Sequence, residues 1–411
     1  MPRDRRPGGA LAPLGRQPLP PCPRCSGRLK PLGLLWQGIH LCAKAACEDC
    51  QAQALADLPT GHALCFPYAV DLGRGQVAGP QEAMAWLGQP LLQSLLHPDE
   101  GRAAPLKVLR RRRARKVVLL NCLDYLYGHA LLKLLNAAQH RPGPGRPGLV
   151  VVVPECLAWM APAWAAEVWS VGGPLKALQG YAPRLSRQLE AELARFAAVE
   201  LSPAYPHAGS FAITDFTHVP PFSAAGAAPR ATFIWREDRL WSAEGPADRL
   251  ALRLGLRAWR LAAQRRRVLR FFGALRQARP ELCCTLAGLG ASLRFPAWVE
   301  DRRVSAYGPK DEQEHCRLYA ESLLVAGVHG SSLLLPSAHA GMTLDLMPED
   351  RWGNLAQDIL YQESDPRLAA WRYRYVPMAQ GPESAAKAAL AQMRGLPIQR
   401  QLFHAGGGHG A

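Results

Sequence analysis

Hydrophobic positions along this 411-residue chain switch repeatedly between two periods. Short, densely apolar runs at Lys116 to Asn121, Gly148 to Val153 and Glu167 to Val171 predict strands buried on both faces. Between them, Tyr127 to His140 sets Ala130, Leu131, Leu134 and Leu135 at helical spacing, and Ala158 to Ala166 reads as helical but interrupted by Pro162. The alternation restarts further on. Strands are expected at Ala231 to Trp235, Leu282 to Leu289, Leu323 to Val328 and Met342 to Met347. A long arginine-rich helix falls within 247–279, with further helices at 311–321 and 383–393. Strands and helices in this order predict parallel sheets covered by helices on both faces.

The expected fold class is therefore α/β, with two Rossmann-like halves. The boundaries read as a disordered stretch over 1–20, a zinc ribbon over 21–55, a first half over 56–202 and a linker over 203–230. A second half over 231–376 and a C-terminal helix with a glycine-rich tail over 377–411 complete the chain. Doubly wound halves of this kind bind ligands at the carboxyl ends of their strands, in a cleft where the halves face each other.

The ribbon rests on cysteine spacing. Cys22-Pro-Arg-Cys25 and Cys47-Glu-Asp-Cys50 are two C-x-x-C knuckles, a layout that lets four thiolates reach one tetrahedral zinc, with Cys42 as a substitute ligand. Four thiolates close the coordination sphere, so such a zinc is structural.

Candidate binding chemistry centres on residues 321–354. An apolar run ends at His329-Gly330, Ser331 and Ser332 open a short segment, and Met342 to Met347 returns as a strand ending near Asp345. Gly330 permits a sharp bend, and the serines are expected to cap a helix whose free N–H groups suit a phosphate, with His329 as an added donor. The same residues would also serve an ordinary strand-to-helix turn. Arg236 and Arg239 follow the end of the strand at Ala231 to Trp235, where planar guanidinium forks can grip a diphosphate. The alternative for Arg236-Glu-Asp-Arg239 is a surface ion-pair cluster. In the first half, Asn121, Asp124, Tyr127, Gly128 and His129 follow a strand end, and Asp124 or His129 is the expected general base on an acceptor hydroxyl.

The stretch Val325 to Pro348 resembles the signature of the glycosyltransferase family that includes plant xylan xylosyltransferases and the O-GlcNAc transferase of EGF domains. That signature reads Gly-Val-His-Gly-Ala-Gly-Leu, an apolar helix, Pro-Gly, and an apolar strand ending in an acid. Here Ser332 stands for the second glycine, and His339-Ala-Gly341 lies near the place of Pro-Gly. The strand leading to Arg236 is similar to that family's and, more distantly, to the arginine-bearing strand of fucosyltransferases. The resemblance implies the two-domain GT-B fold, a nucleotide-sugar donor, an unknown acceptor, inversion at the anomeric carbon and no catalytic metal. By position it places His329, Gly330 and Ser331 against the donor diphosphate or nucleotide, Arg236 against the diphosphate and Asp345 against the nucleoside; Ser332 and Arg239, next to these in the chain, are further donor-binding candidates.

Composition narrows little beyond this. A net charge of +16 suits a handler of anions without choosing among nucleotides, nucleic acid and acidic lipid. It supports a second reading, an inactive GT-B-like protein that binds nucleic acid or a protein partner through the ribbon and the basic runs at Arg110 to Arg115 and Arg265 to Arg270. A nucleotide-sugar epimerase is a third. The Pro- and Arg-rich N-terminus lacks an apolar signal segment, and no run of about eighteen apolar residues occurs, so a cytoplasmic protein without a transmembrane span is expected. Eleven cysteines then read as metal ligands or buried thiols.

Overall fold

The computed structural model describes residues 12–102, 104–207, 209–223, 229–242, 245–290, 292–363 and 365–405. The chain divides into two compact units, Met1–Phe211 and Ala212–Ala411. None of the described helices is long and apolar enough to cross a membrane.

The first unit begins with Ala12–Pro13, paired antiparallel with Glu200 and Leu201, and with Leu14 in the core. Residues 12–20 are thus part of the fold, because a strand partner and a buried leucine outweigh their proline-rich composition. The rest of the stretch expected to be disordered, 1–11, lies outside the described residues. Five antiparallel strands follow in sequential order: Leu29–Trp36, Leu41–Cys47, Gln53–Asp57, Ala69–Asp71 and Gln76–Ala78. This sheet runs past the boundary expected at residue 55.

The larger sheet of the first unit is ordered Ala12–Pro13, Ala198–Leu201, Lys116–Asn121, Gly148–Pro154, Glu167–Val171 and Leu106–Arg110. Its four middle strands are parallel and its two edges antiparallel. Counted in chain order, the parallel strands run 4-1-2-3, so the order reverses between Lys116–Asn121 and Ala198–Leu201. The segment expected to be helical at 158–166 instead forms a 3₁₀ turn over Glu155–Met160, since Pro162 denies it a helical continuation. The linker expected over 203–230 is partly structured, with a short helix at Thr214–Thr217 that buries Phe216; residues 224–228 lie outside the described residues.

The second unit holds a six-stranded, fully parallel sheet ordered Val299–Asp301, Cys283–Gly288, Arg230–Trp235, Ser322–Val328, Met342–Met347 and Tyr373–Pro377. In chain order this is 3-2-1-4-5-6, the doubly wound order whose reversal point opens a crevice at the carboxyl ends of strands 1 and 4. The expected long helix is two, Pro246–Arg253 and Arg257–Ala278, separated at Gly255 in a left-handed conformation (φ +64°). The second of these buries Leu261, Gln264, Val268, Phe271, Phe272 and Leu275, one helical stripe, against Phe233, Trp235 and Trp241. Its arginines ride on the opposite faces.

Candidate functional site

The reversal point of the second unit gathers most of the residues expected to bind a donor. Strand Arg230–Trp235 delivers Arg236 and Arg239, and strand Ser322–Val328 delivers His329 and the Gly330 turn. Arg239 Nη1 donates to the His329 carbonyl at 2.5 Å, and Arg236 Nη1 donates to Ser332 Oγ at 3.2 Å. A β-carbon built on Gly330 would lie 2.7 Å from Arg239 Nη1 and 3.0 Å from Arg236 Nη1. Glycine is required twice over: for that closeness, and for a backbone φ of +141°. Burial and the like charges of Arg236 and Arg351 hold the Arg239 guanidinium below its usual proton affinity. Two guanidiniums held together at one turn could seat an anion, with Arg236 also bonded through Nε and Nη2 to Asp238.

The four charged residues 236–239 do not act as one cluster. Glu237 turns away, accepting from Ser292 N at 3.2 Å and Ser292 Oγ at 2.7 Å, and pairing with Arg257 at 3.0 Å. Arg236 also pairs with the exposed Asp238.

The serine-capped helix expected after Gly330 is a 3₁₀ turn, Ser331–Leu333, followed by a six-residue helix, Leu334–His339. No serine side chain caps it. The anion seat is therefore made of guanidiniums around a glycine turn, and the helix end contributes little. Ser331 is exposed and Ser332 half-buried beside the arginines.

His329 and Asp345 lie inside. His329 is 2% and Asp345 0% exposed, and His329 Nδ1 is 2.8 Å from Asp345 Oδ2 and 3.1 Å from Asp358 Oδ2. The Tyr373 hydroxyl donates to the same Asp345 oxygen at 2.8 Å. One imidazole N–H cannot satisfy both carboxylates. Burial works against a charged His329, but Asp345 and Asp358 prevail and raise its proton affinity. Burial, reinforced by Asp345, pushes the Asp358 carboxyl up to about 6. Near this group Tyr375 stands 6.4 Å from the His329 ring, and Trp352, 37% exposed, stands 6.5 Å from Tyr375. Asp358, Tyr373 and Tyr375 carried no sequence signal, because their partners are contributed by other strands.

In the first unit, Asp124 and His129 follow strand Lys116–Asn121 at that sheet's own reversal point. Asp124 is 1% exposed; its Oδ2 accepts from Lys133 Nζ at 2.8 Å, and its Oδ1 is 3.5 Å from His129 Nδ1. Burial would raise the Asp124 carboxyl, yet Lys133 and His129 win and hold it well below the carboxylate range. His62 Nε2 lies 3.2 Å from the same His129 nitrogen, with the Trp86 ring tilted 57° against the His62 ring at 4.4 Å. Neither His62 nor Lys133 was singled out by the sequence; Lys133 sits on an otherwise apolar helix, which is the one hint of a buried pair.

The four knuckle cysteines converge. Cys22 and Cys50 sulfurs are 3.8 Å apart and those of Cys25 and Cys47 are 3.4 Å apart, close to the edge of about 3.8 Å that four thiolates at about 2.3 Å make around zinc. The two knuckles are built alike. Ser26 N donates to Cys22 O and Gln51 N to Cys47 O, while Cys22 N donates to Gly27 O and Cys47 N to Ala52 O. This group could hold a metal such as zinc. Cys42, expected as a substitute, lies instead in another core cluster with Leu55, Tyr68 and Val70.

Arginines of the basic runs are largely engaged. Arg110 pairs with Glu192, Arg111 and Arg112 donate to the carbonyls of Pro162 and Trp164, Arg265 donates to Arg294 O, and Arg270 pairs with Glu383.

No protein-family model and no curated protein matches this sequence. Among solved structures, the chain is similar to a protein of Listeria monocytogenes assigned as a UDP-N-acetylglucosamine 2-epimerase, at 11% identity and a TM-score of 0.29. That match covers 68% of this chain and 66% of the Listeria chain, just under two thirds of its length. The chain is also similar to the E. coli heptosyltransferase WaaC with ADP, at 15% identity and a TM-score of 0.32, over 68% of this chain and 99% of that one. Likeness at these scores carries no argument about function, and it is the strand orders that define the fold.

Proposed function

We propose that the protein is a glycosyltransferase of GT-B type that moves a sugar from a nucleotide-sugar donor to an acceptor hydroxyl with inversion. The observation that carries this reading is the convergence of Arg236 and Arg239 on the Gly330 turn at the reversal point of a 3-2-1-4-5-6 sheet. A diphosphate matches two guanidinium forks in charge and geometry, and doubly wound sheets bind nucleotides at that crevice. The resemblance of Val325 to Pro348 to a glycosyltransferase signature supports the choice of a sugar nucleotide over other diphosphates.

In this reading Arg236, Arg239, Gly330, Ser331 and Ser332 contact the diphosphate, and Trp352 offers an aromatic face to the nucleoside. His329, Asp345 and Asp358 act from beneath, by fixing the turn. The acceptor oxygen bonds to the anomeric carbon as the bond from that carbon to the phosphate oxygen breaks. Both guanidiniums stabilise the charge that accumulates on the departing diphosphate. Asp124 and His129 are the candidate bases for the acceptor's proton. Lys133 occupies one Asp124 oxygen, which leaves His129 as the more accessible member. Zinc on Cys22, Cys25, Cys47 and Cys50 has a structural role.

Calorimetry with a panel of nucleoside diphosphates and their sugars tests the donor site. Binding is expected, and Arg239→Ala should weaken it about 10- to 100-fold, the value of one charged hydrogen bond or two. Absence of binding by every member, or binding indifferent to Arg236→Ala and Arg239→Ala, overturns the reading.

A further inference from the structure

The side chains of the first unit's reversal point form a more specific arrangement than a general base requires. His62 Nε2, His129 Nδ1 and Asp124 Oδ1 belong to three ligand-bearing groups whose atoms all lie within 4.8 Å of one another. Two of the edges are 3.2 Å and 3.5 Å. Nitrogen and oxygen ligands at about 2.0–2.1 Å from a tetrahedral zinc are about 3.3–3.4 Å apart. His129 Nδ1 faces both other atoms, and a single proton on it can bridge only one of the two gaps. One cation at the centre satisfies all three.

We infer that His62, Asp124 and His129 form a binding site for a divalent cation of the zinc class, separate from the four-cysteine group. The surroundings fit that role. Asp124 is fixed by Lys133 Nζ on Oδ2 and by Leu126 N on Oδ1 at 3.1 Å, so the carboxylate cannot rotate away. Lys133 is itself anchored to the Leu123 carbonyl at 3.1 Å. His62 is carried by a turn whose Gly61 N donates to Pro203 O at 2.7 Å, just past strand Ala198–Leu201. Both strands that flank the reversal point therefore hold the site. A small cavity lined by His40, His62, Trp86, Asp124 and Tyr125 opens onto two of the three ligands. Three protein ligands with an open side is the layout of a catalytic metal, in contrast to the closed cysteine group.

The Lys133 ammonium opposes the cation, so this site should fill after the cysteines. A cation here would lower the pKa of a bound water and so provide a proton acceptor at neutral pH. That departs from the absence of a catalytic metal implied by the family resemblance. The site lies wholly within the first unit and does not depend on the donor seat.

The test is titration of the chelator-stripped full-length protein with cobalt(II), followed by absorbance and calorimetry. Two classes of site are expected: a tighter one with thiolate-to-metal charge transfer, and a weaker one without it. His62→Ala and His129→Gln should each weaken the second class at least tenfold and leave the charge-transfer band intact, which also shows that those variants retain the cysteine site. Cys22→Ser should remove the band and spare the second class. A single equivalent lost entirely in Cys22→Ser, or a second equivalent unchanged in both histidine variants, overturns the inference. Nucleoside diphosphate binding sensitive to Arg239→Ala would still stand in either case, so the two readings fail separately.

Discussion

Gly330 decides the geometry of the second unit's crevice. A methyl group there meets two guanidiniums and a φ of +141° that side chains rarely adopt. Gly330→Ala is expected to cost about 1–3 kcal/mol in urea denaturation and to abolish nucleoside diphosphate binding by displacing Arg239. Its neighbour His329 and the adjacent Asp358 give a pH dependence whose sign follows from the upward shift of both groups. Asp358 is held up to about 6 in the folded chain, so the folded state binds more protons than the unfolded state between roughly pH 4 and 6, and stability falls as pH rises through that window. His329, raised above its ordinary value, contributes stability at low pH that is lost as pH climbs past its folded pKa. Both act in one direction. The melting temperature of the parent chain relative to Asp358→Asn should therefore fall from pH 5 to pH 8, the buried histidines of lowered proton affinity such as His339 being common to both; a difference that rises with pH, or stays constant, would contradict this. The sequence marked His329, Gly330 and Asp345 as neighbours of one motif. It did not disclose that two of them face inward, because that depends on Asp358 and Tyr373 from later segments.

Among elements, helix Arg257–Ala278 shows how an arginine-rich segment can still be a core element. Phe272 is fully buried while Trp259 is 43% exposed. Phe272→Ala is expected to cost about 3–5 kcal/mol, and Trp259→Ala about 0.5 kcal/mol or less, as measured by urea unfolding. The principal strands were legible from apolar runs, since both faces of a parallel sheet are covered and no polar alternation interrupts them. Edge strand Leu106–Arg110 and last strand Tyr373–Pro377 were not, because solvent-facing and partly polar positions dilute the signal. The helix after Gly330, a phosphate-binding terminus by its sequence pattern, has only six residues before Gly341 and the next strand, too few for a substantial dipole.

For the whole molecule, stability of the first unit is expected to depend on metal. The cluster containing Cys22 and Cys47 is built of Ala45, Ala52, Ala54, Ala56 and Ala69 with one leucine, Leu29, so little apolar surface holds that end of the small sheet together. Chelation, or Cys50→Ser, should lower the first melting transition and raise protease sensitivity within residues 21–57, while the transition of the second unit stays in place. Differential scanning calorimetry with and without chelator distinguishes this from a metal-independent sheet. The sequence alone determined that there are two α/β units, where most of the parallel strands run, and that four cysteines share a spacing suited to one ion, because these follow from local periodicity and short-range spacing. Tertiary structure decided the rest. Strand order places Arg236 beside Gly330, ninety-odd positions apart, and brings His62 to His129, and such encounters arise from the crossing of parallel strands, which no local pattern encodes.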